Sequence, residues 1–245
     1  SLMIINILRL GGCFSLQRIV IFANGELAEL KKARLLLQDD DYIICADGGT
    51  HHALALDIRP NLIIGDMDSA EKAQLQKLQK DGIEIELYPL DKNETDLELA
   101  LNRTIELEPK EILIIAALGG RLDQTLGNLA LLTDVRLSIF DVRLDDGVEE
   151  IFICRNQVEV HGKNGDLVSL IPWQGAVSNI QTKNLKWPLN NETLYPDKTR
   201  GISNEMLGDT ASISIGSGLL LIVHRRTPLV SLPSRAARDE GTEER

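Results

Sequence analysis

The sequence lacks most of the features that announce a function class. It contains neither G-x-x-x-x-G-K-[ST] nor G-x-G-x-x-G, so a P-loop or a dinucleotide fingerprint is not available to hold a nucleotide. Cysteine is scarce: Cys13, Cys45 and Cys154 are scattered, odd in number and without metal-ligand spacing. That usage suits a reducing cytosol, and a cytoplasmic protein is expected. Basic residues are outnumbered, 26 Lys+Arg against 37 Asp+Glu, for a net charge of −11, and they form no stripe. Backbone binding to nucleic acid needs clustered cations, so nucleic acid is not an expected partner. Long apolar runs are missing too. The segment 3–16 is broken by Arg9 and Gly11-Gly12 and is too short to span a bilayer. It also lacks the basic start and small-residue cleavage site of a secretory signal, so no membrane partner is expected.

What is present is a regular alternation. Of the 245 residues, 43% are hydrophobic and 26% charged, enough for one large or two small domains. Short apolar runs at 19–23, 42–46, 62–64, 83–88, 111–117 and 137–142 read as strands. Helices are expected between them, over 26–38, from after Asp47-Gly48-Gly49 to about 56, over 70–80 and 123–133, and from Thr95, where Glu98 would complete a capping box. Near-continuous apolar strands alternating with helices predict a three-layer α/β domain with a mostly parallel sheet. After Asp145-Asp146-Gly147 the texture changes to short runs separated by turn residues, which predicts a smaller all-β sandwich or barrel. The expected division is 17–147 for the α/β domain, 148–228 for the β domain and 229–245 for a disordered tail.

Ligands of open parallel sheets bind outside the carboxyl ends of the strands, so the residues that follow each strand are the test. The second strand delivers Asp47, Gly48 and Gly49; the third delivers Gly65-Asp66-Met67-Asp68-Ser69. The fourth leads to Lys92, Thr95 and Asp96, and the fifth to Gly119, Gly120, Arg121 and Asp123. Carboxylates one residue apart repel unless a cation joins them, and Mg²⁺ prefers one or two carboxylates together with substrate phosphates. Asp66, Asp68 and Asp96 are therefore candidate metal ligands. The glycine pairs would let backbone N–H groups approach phosphate oxygens. Arg121 offers a planar donor fork and Lys92 a mobile point charge. His51-His52 lacks metal-ligand spacing and reads as partly exposed, Asp39-Asp40-Asp41 as a solvated loop, and Leu35-Leu36-Leu37 as core.

These residues fall in an order that resembles the thiamine pyrophosphokinases. Ala46-Asp47-Gly48-Gly49 and the run from Pro60 to Ser69 are similar to the first two signatures of that family. The runs Lys92 to Ala100 and Gly119 to Leu129 are similar to the next two. In the second half, Gly165 to Pro172, Leu185-Lys186-Trp187-Pro188-Leu189 and Gly201-Ile202-Ser203-Asn204-Glu205 also match, so the resemblance spans about 19–226. It implies transfer of a pyrophosphoryl group from Mg-ATP to the hydroxyl of thiamine, giving thiamine diphosphate and AMP. It also implies a homodimer with thiamine bound between subunits. By position, Asp47, Asp68, Asp96, Arg121 and Asp123 would be catalytic. Gly48, Gly49, Lys92, Gly119, Gly120, Arg121, Gln124 and Asn128 would bind ATP, and Trp187, Ser203 and Asn204 would bind thiamine. Asn93 stands where an Asp is common, and Gln124 where many bacterial members have His, so a titrating imidazole is not needed at position 124. For Trp187 a place in the β core competes with stacking on a thiamine ring. The proton acceptor is open among Asp68, Asp96 and Asp123. Two other functions stay open: another Mg-dependent transferase that uses nucleotides, and a non-catalytic thiamine or nucleotide sensor.

Overall fold

The computed structural model describes residues 16–66 and 78–227. Six parallel strands form the first half: β1 (Arg18–Phe22), β2 (Tyr42–Ala46), β3 (Leu62–Gly65), β4 (Glu84–Leu87), β5 (Glu111–Ile115) and β6 (Asp141–Asp145). Their spatial order is β4-β3-β2-β1-β5-β6. The chain thus winds outward from β1 to β4, then returns to β1's other side with β5. The central strands are apolar throughout because both their faces are covered. Ile19 and Ile21 of β1 enter one core together with Leu97, Ala100 and Leu101 of α3 (Asp96–Glu106). Val20 and Phe22 enter the other, with Ala33 of α1 (Leu30–Arg34) and Ala53 of α2 (Thr50–Ala55). Helix α4 (Leu122–Leu131) follows β5 and has no fully buried residue; Leu122 is 71% exposed.

The expected α/β class with a strand-rich second part is what the structure shows, but the sheet does not stop at residue 147. β6 turns back through Asp146 and Gly147 to pair antiparallel with β7 (Glu149–Cys154), Leu144 opposite Ile151. β13 (Ser217–Arg225) and β9 (Leu167–Lys183) extend the same sheet. β9 is long enough to serve two sheets: 167–173 pairs with β13, while 177–183 pairs with β10 (Asn190–Leu194) and β12 (Thr210–Ser214). The bend between them falls at Gln174 and Gly175, both at positive φ. β8 (Gln157–His161) pairs with β12, and the short β11 (Asn204–Glu205) with the start of β9. Phe152, Leu170, Val177, Ile180, Met206, Ile213 and Ile222 fill the space between the two sheets. The helices among the described residues include none long and apolar enough to cross a membrane.

Several local expectations are corrected. The helix expected over 26–38 is only Leu30–Arg34, because Gly25 and Glu26 donate their N–H groups to Ala116 and Leu118 and run on alongside β5 instead. Leu35 is 84% exposed rather than core, while Leu36 and Leu37 do pack inward. The strand expected at 137–142 begins only at Asp141. Asp134 accepts from the N–H of Arg136 and winds Val135–Ile139 into a 3₁₀ turn. Asp41 is not solvated: it holds Arg18 through two hydrogen bonds of 2.7 and 2.8 Å. His52 is buried and meets the Gly25 carbonyl at 2.8 Å. Burial lowers its pKa, so the ring is a neutral donor. Of the helix expected over 70–80 only 78–80 are described, and they are helical; the tail 229–245 and Asp68 lie outside the described residues.

Candidate active site

The sheet reverses its winding between β1 and β5, and that is where an open α/β sheet leaves a crevice. A cavity of about 580 Å³ lies there. Its walls include Asp66 from the end of β3, Lys92, Thr95 and Asp96 from the start of α3, and Gly119, Gly120 and Arg121 from the loop after β5. Gln124 and Asn128 project from α4. Eight of the residues expected for metal or nucleotide therefore share one cavity. Asn24, Gly25 and Glu26 also line it and escaped the sequence reading. The rule that found the other loops would have found these had it been applied to the carboxyl end of the first strand.

The charges inside the cavity are paired but not sealed. Lys92 Nζ lies 2.6 Å from Asp96 Oδ1 and 3.6 Å from Asp66 Oδ2. Burial disfavours the ammonium, but the Asp96 hydrogen bond and the charges of Asp96 and Asp66 outweigh it and hold the pKa above the usual lysine value. Thr95 caps α3 by accepting from the Glu98 N–H at 3.2 Å, so Asp96 occupies the first helical turn, where a carboxylate is favoured. On the opposite wall Arg121 grips Asp123 through two hydrogen bonds of 3.1 and 2.5 Å, both side chains well exposed. The bond lowers the Asp123 pKa and raises that of Arg121, so both stay charged. Gly119 and Gly120 are both left-handed, at φ +78 and +65, and a side chain on Gly119 would strike Glu26. Asn128 donates to the Ala117 carbonyl at 2.8 Å and fixes α4 against this turn.

Four expected residues, Asp47, Gly48, Gly49 and Asp123, do not line the cavity. Gly48 and Gly49 lie in a 3₁₀ turn, Asp47–Gly49, pressed against the end of β1; a Cβ on Gly49 would fall 2.0 Å from the Phe22 carbonyl oxygen. Their small size is used for packing. Asp47 sits behind them at φ +41, against Gly65.

The residues expected for thiamine gather around a second hollow of about 260 Å³, walled by Leu170, Trp187, Pro188, Leu189, Arg200, Gly201 and Asn204. Trp187 is 57% exposed, which removes the core reading. Ser203 is not among the walls of the hollow; it has φ +57, and its N–H is bonded to Ser169 Oγ at 3.0 Å. Asn204 is buried in the wall of this hollow, and its side chain bonds to backbone groups of Trp187 and Glu205.

Comparison with known proteins follows the same two-part layout. Residues 33–144 match the family model described as thiamin pyrophosphokinase, catalytic domain, and 155–220 that described as thiamin pyrophosphokinase, vitamin B1 binding domain. A thiamine pyrophosphokinase of Bacillus subtilis is 30% identical over 182 residues, covering 74% of this chain and 85% of the relative. The chain belongs to the thiamine pyrophosphokinase family. Solved structures agree. A B. subtilis thiamine pyrophosphokinase superposes with a TM-score of 0.77 at 26% identity, covering 86% of this chain and 100% of that one. One from Geobacillus thermodenitrificans gives 0.75 at 25%, covering 87% and 99%. The thiamine pyrophosphokinase models cover both the switch-point cavity from Asp66 to Arg121 and the Trp187 loop.

Proposed function

We propose that the chain transfers a pyrophosphoryl group from ATP to the hydroxyl of thiamine, giving thiamine diphosphate and AMP. The observation that carries the reading is Lys92 held between Asp66 and Asp96 in a cavity whose other wall is the Gly119-Gly120-Arg121 turn. Lys92 and Arg121 would grip phosphate oxygens from two sides, and the turn's N–H groups would add donors. Gln124 and Asn128 would line the nucleotide's path. Asp123 keeps Arg121 oriented. Asp47, Gly48 and Gly49 would act by shaping the crevice floor.

The donor set suits Mg²⁺. Asp66 and Asp96 both turn an oxygen toward a common cation, here the Lys92 ammonium, and hard oxygens with few protein ligands are what this ion takes. Among the described residues no three His, Cys, Asp or Glu side chains cluster as ligands, and the third expected carboxylate, Asp68, lies outside them. When bound, the ion would neutralise charge on the transferring phosphates. The chain's own residues would orient the acceptor in line with the leaving AMP and take its proton on one carboxylate of Asp68, Asp96 or Asp123. Trp187 and Ser203 would contact thiamine, and a homodimer would bring the Trp187 hollow of one subunit to the phosphate cavity of the other. The cysteines Cys45 and Cys154 are buried free thiols, in keeping with a cytoplasmic setting.

The test is incubation of pure protein with ATP, Mg²⁺ and thiamine, with a chelator control. AMP and thiamine diphosphate should form in equal amounts, and only without chelator. ADP as the nucleotide product, or no transfer, would overturn the reading.

A further inference from the structure

The loop that carries Trp187 is mounted on one buried amide. Asn204, 7% exposed, accepts the Trp187 N–H at 3.1 Å and the Glu205 N–H at 2.9 Å on Oδ1, and donates through Nδ2 to the Trp187 carbonyl at 2.7 Å. Backbone donors and acceptors cannot exchange roles, so they also fix which way the amide points. Both backbone polar groups of Trp187, its N–H and its carbonyl, are thereby held by one side chain, whose own backbone pairs with Val168 of β9. The neighbours repeat the connection: Lys186 donates its N–H to the Glu205 carbonyl at 2.9 Å, and Leu185 bridges Met206. Lys186 Nζ pairs with Glu205 Oε2 at 2.7 Å and lies 5.0 Å from the centre of the Trp187 ring. An exposed tryptophan would ordinarily sample several rotamers and loop positions. Here the backbone is clamped from below, and one ring face is covered by a tethered ammonium.

We infer that Asn204 is a positioning residue: it presents the Trp187 indole to the acceptor and does not itself bind the acceptor. Both lone pairs of its oxygen and one of its two N–H groups are already used. The Lys186–Glu205 pair completes the mount by holding a cation on one face, which leaves the opposite face for a flat ring of the acceptor. This assignment rests on the proposed reading of the Trp187 hollow as the acceptor site.

The experiment uses the full chain with Trp173→Phe, so that Trp187 is the remaining tryptophan reporter. Asn204→Ala should lower the fluorescence anisotropy of Trp187 before any substrate is added. It should raise KM for thiamine about tenfold or more while KM for ATP stays the same. Asn204→Asp, which keeps an acceptor for both N–H groups and loses only the donor to the Trp187 carbonyl, guards against loss of folding. It should shift both quantities in the same direction by less. In a Trp187→Ala background, Asn204→Ala should add little to KM, since the two act as a unit. A raised KM with unchanged anisotropy in the substrate-free protein would make Asn204 a direct ligand and overturn the inference, as would full additivity with Trp187→Ala. If Trp187→Ala alone leaves KM for thiamine unaltered, the acceptor-site reading fails instead. The anisotropy arm then still reports on the mount.

Discussion

Two places in this molecule use the same ingredients to opposite ends. In the crevice, Lys92 lies between Asp66 and Asp96, and Arg121 grips Asp123. At the seam where the parallel strands give way to antiparallel ones, His224 lies between Glu150 and Asp166 at 3.2 and 3.1 Å, and Arg226 grips Asp145 at 2.8 and 2.6 Å. The crevice groups border a large cavity, and every cation there has donors to spare for a ligand. The seam groups are closed in. His224 is 0% exposed, Asp166 also accepts from the N–H groups of Lys163 and Thr227, and Arg143 reaches Glu150 at 3.1 Å. A cation between two carboxylates is thus not in itself a mark of function. The mark is what lies on its remaining side.

The comparison predicts opposite consequences for removing the central group. The largest effect is expected at the seam. His224→Ala leaves two buried carboxylates facing each other, and breaking a buried pair by removing one partner costs about 3–5 kcal/mol. For a chain of this size each kcal/mol lowers Tm by about 2–4 °C. Urea unfolding should show that loss, while the folded fraction keeps its KM for both substrates. An unchanged Tm would mean that the seam relaxes around the gap and that its charges do not hold the two halves together.

Asp96→Asn should do the reverse. Removing a carboxylate of the proposed phosphate and metal site should lower kcat by about a hundredfold or more. Stability should change by only about 1 kcal/mol, the scale of a first-turn helix charge. A large loss of stability with little loss of rate would exchange the two roles.

Much of this contrast could be read from the sequence on one side and not on the other. The crevice was legible because strand ends are local: an apolar run followed by Asp, Gly or Arg marks the carboxyl edge of a sheet wherever the run lies. Asp66, Lys92, Asp96, Gly119 and Arg121 were all found by that rule. The seam is assembled from Asp145, Glu150, Asp166, His224 and Arg226, and His224 is 58 and 74 residues from its two partners. No local pattern ties them, and a lone His near the end of a strand gives no signal. The sheet's continuity through β6 and β7 was hidden for the same reason, since Asp146-Gly147 reads equally as a linker or as a hairpin turn. Strand pattern also says nothing about which side chains turn inward to hold a loop, so the bonds from Asn204 to the Trp187 backbone had no signal in the sequence.

A smaller effect follows from how the seam titrates. Burial disfavours the His224 charge, but Glu150 and Asp166 outweigh it and raise its pKa above the usual histidine value. Burial likewise opposes ionisation of Glu150 and Asp166, and their hydrogen bonds, including those from His224, bring both below the usual carboxylate range. The histidine contribution is complete below the unfolded value of about 6.5 and is lost as pH rises through the raised folded value. The carboxylate contributions are complete above unfolded values of about 4 and are lost as pH falls through the lowered folded values. Stability should therefore be greatest between about pH 4.5 and 6.5 and decline on the alkaline side. His224→Gln should flatten that alkaline decline, as measured by urea midpoints at a series of pH values. The crevice variant Asp96→Asn should leave it intact.

The smallest effect tests where the two regimes meet. Thr95 lines the crevice, yet its hydroxyl is spent on the Glu98 N–H at the start of α3. Thr95→Ala should cost about 1 kcal/mol, the usual loss for an N-cap. Because the first turn of α3 carries Asp96, some loosening of that carboxylate and of Lys92 is expected as well. The resulting loss in kcat/KM should stay under about tenfold, well short of the Asp96→Asn effect. Thr95→Ser, which retains the acceptor, should restore both stability and rate. A drop in rate as deep as that of Asp96→Asn, with Tm unchanged, would instead place the Thr95 hydroxyl among the groups that touch substrate. The line between the structural and the chemical parts of the crevice would then have to be drawn one residue earlier.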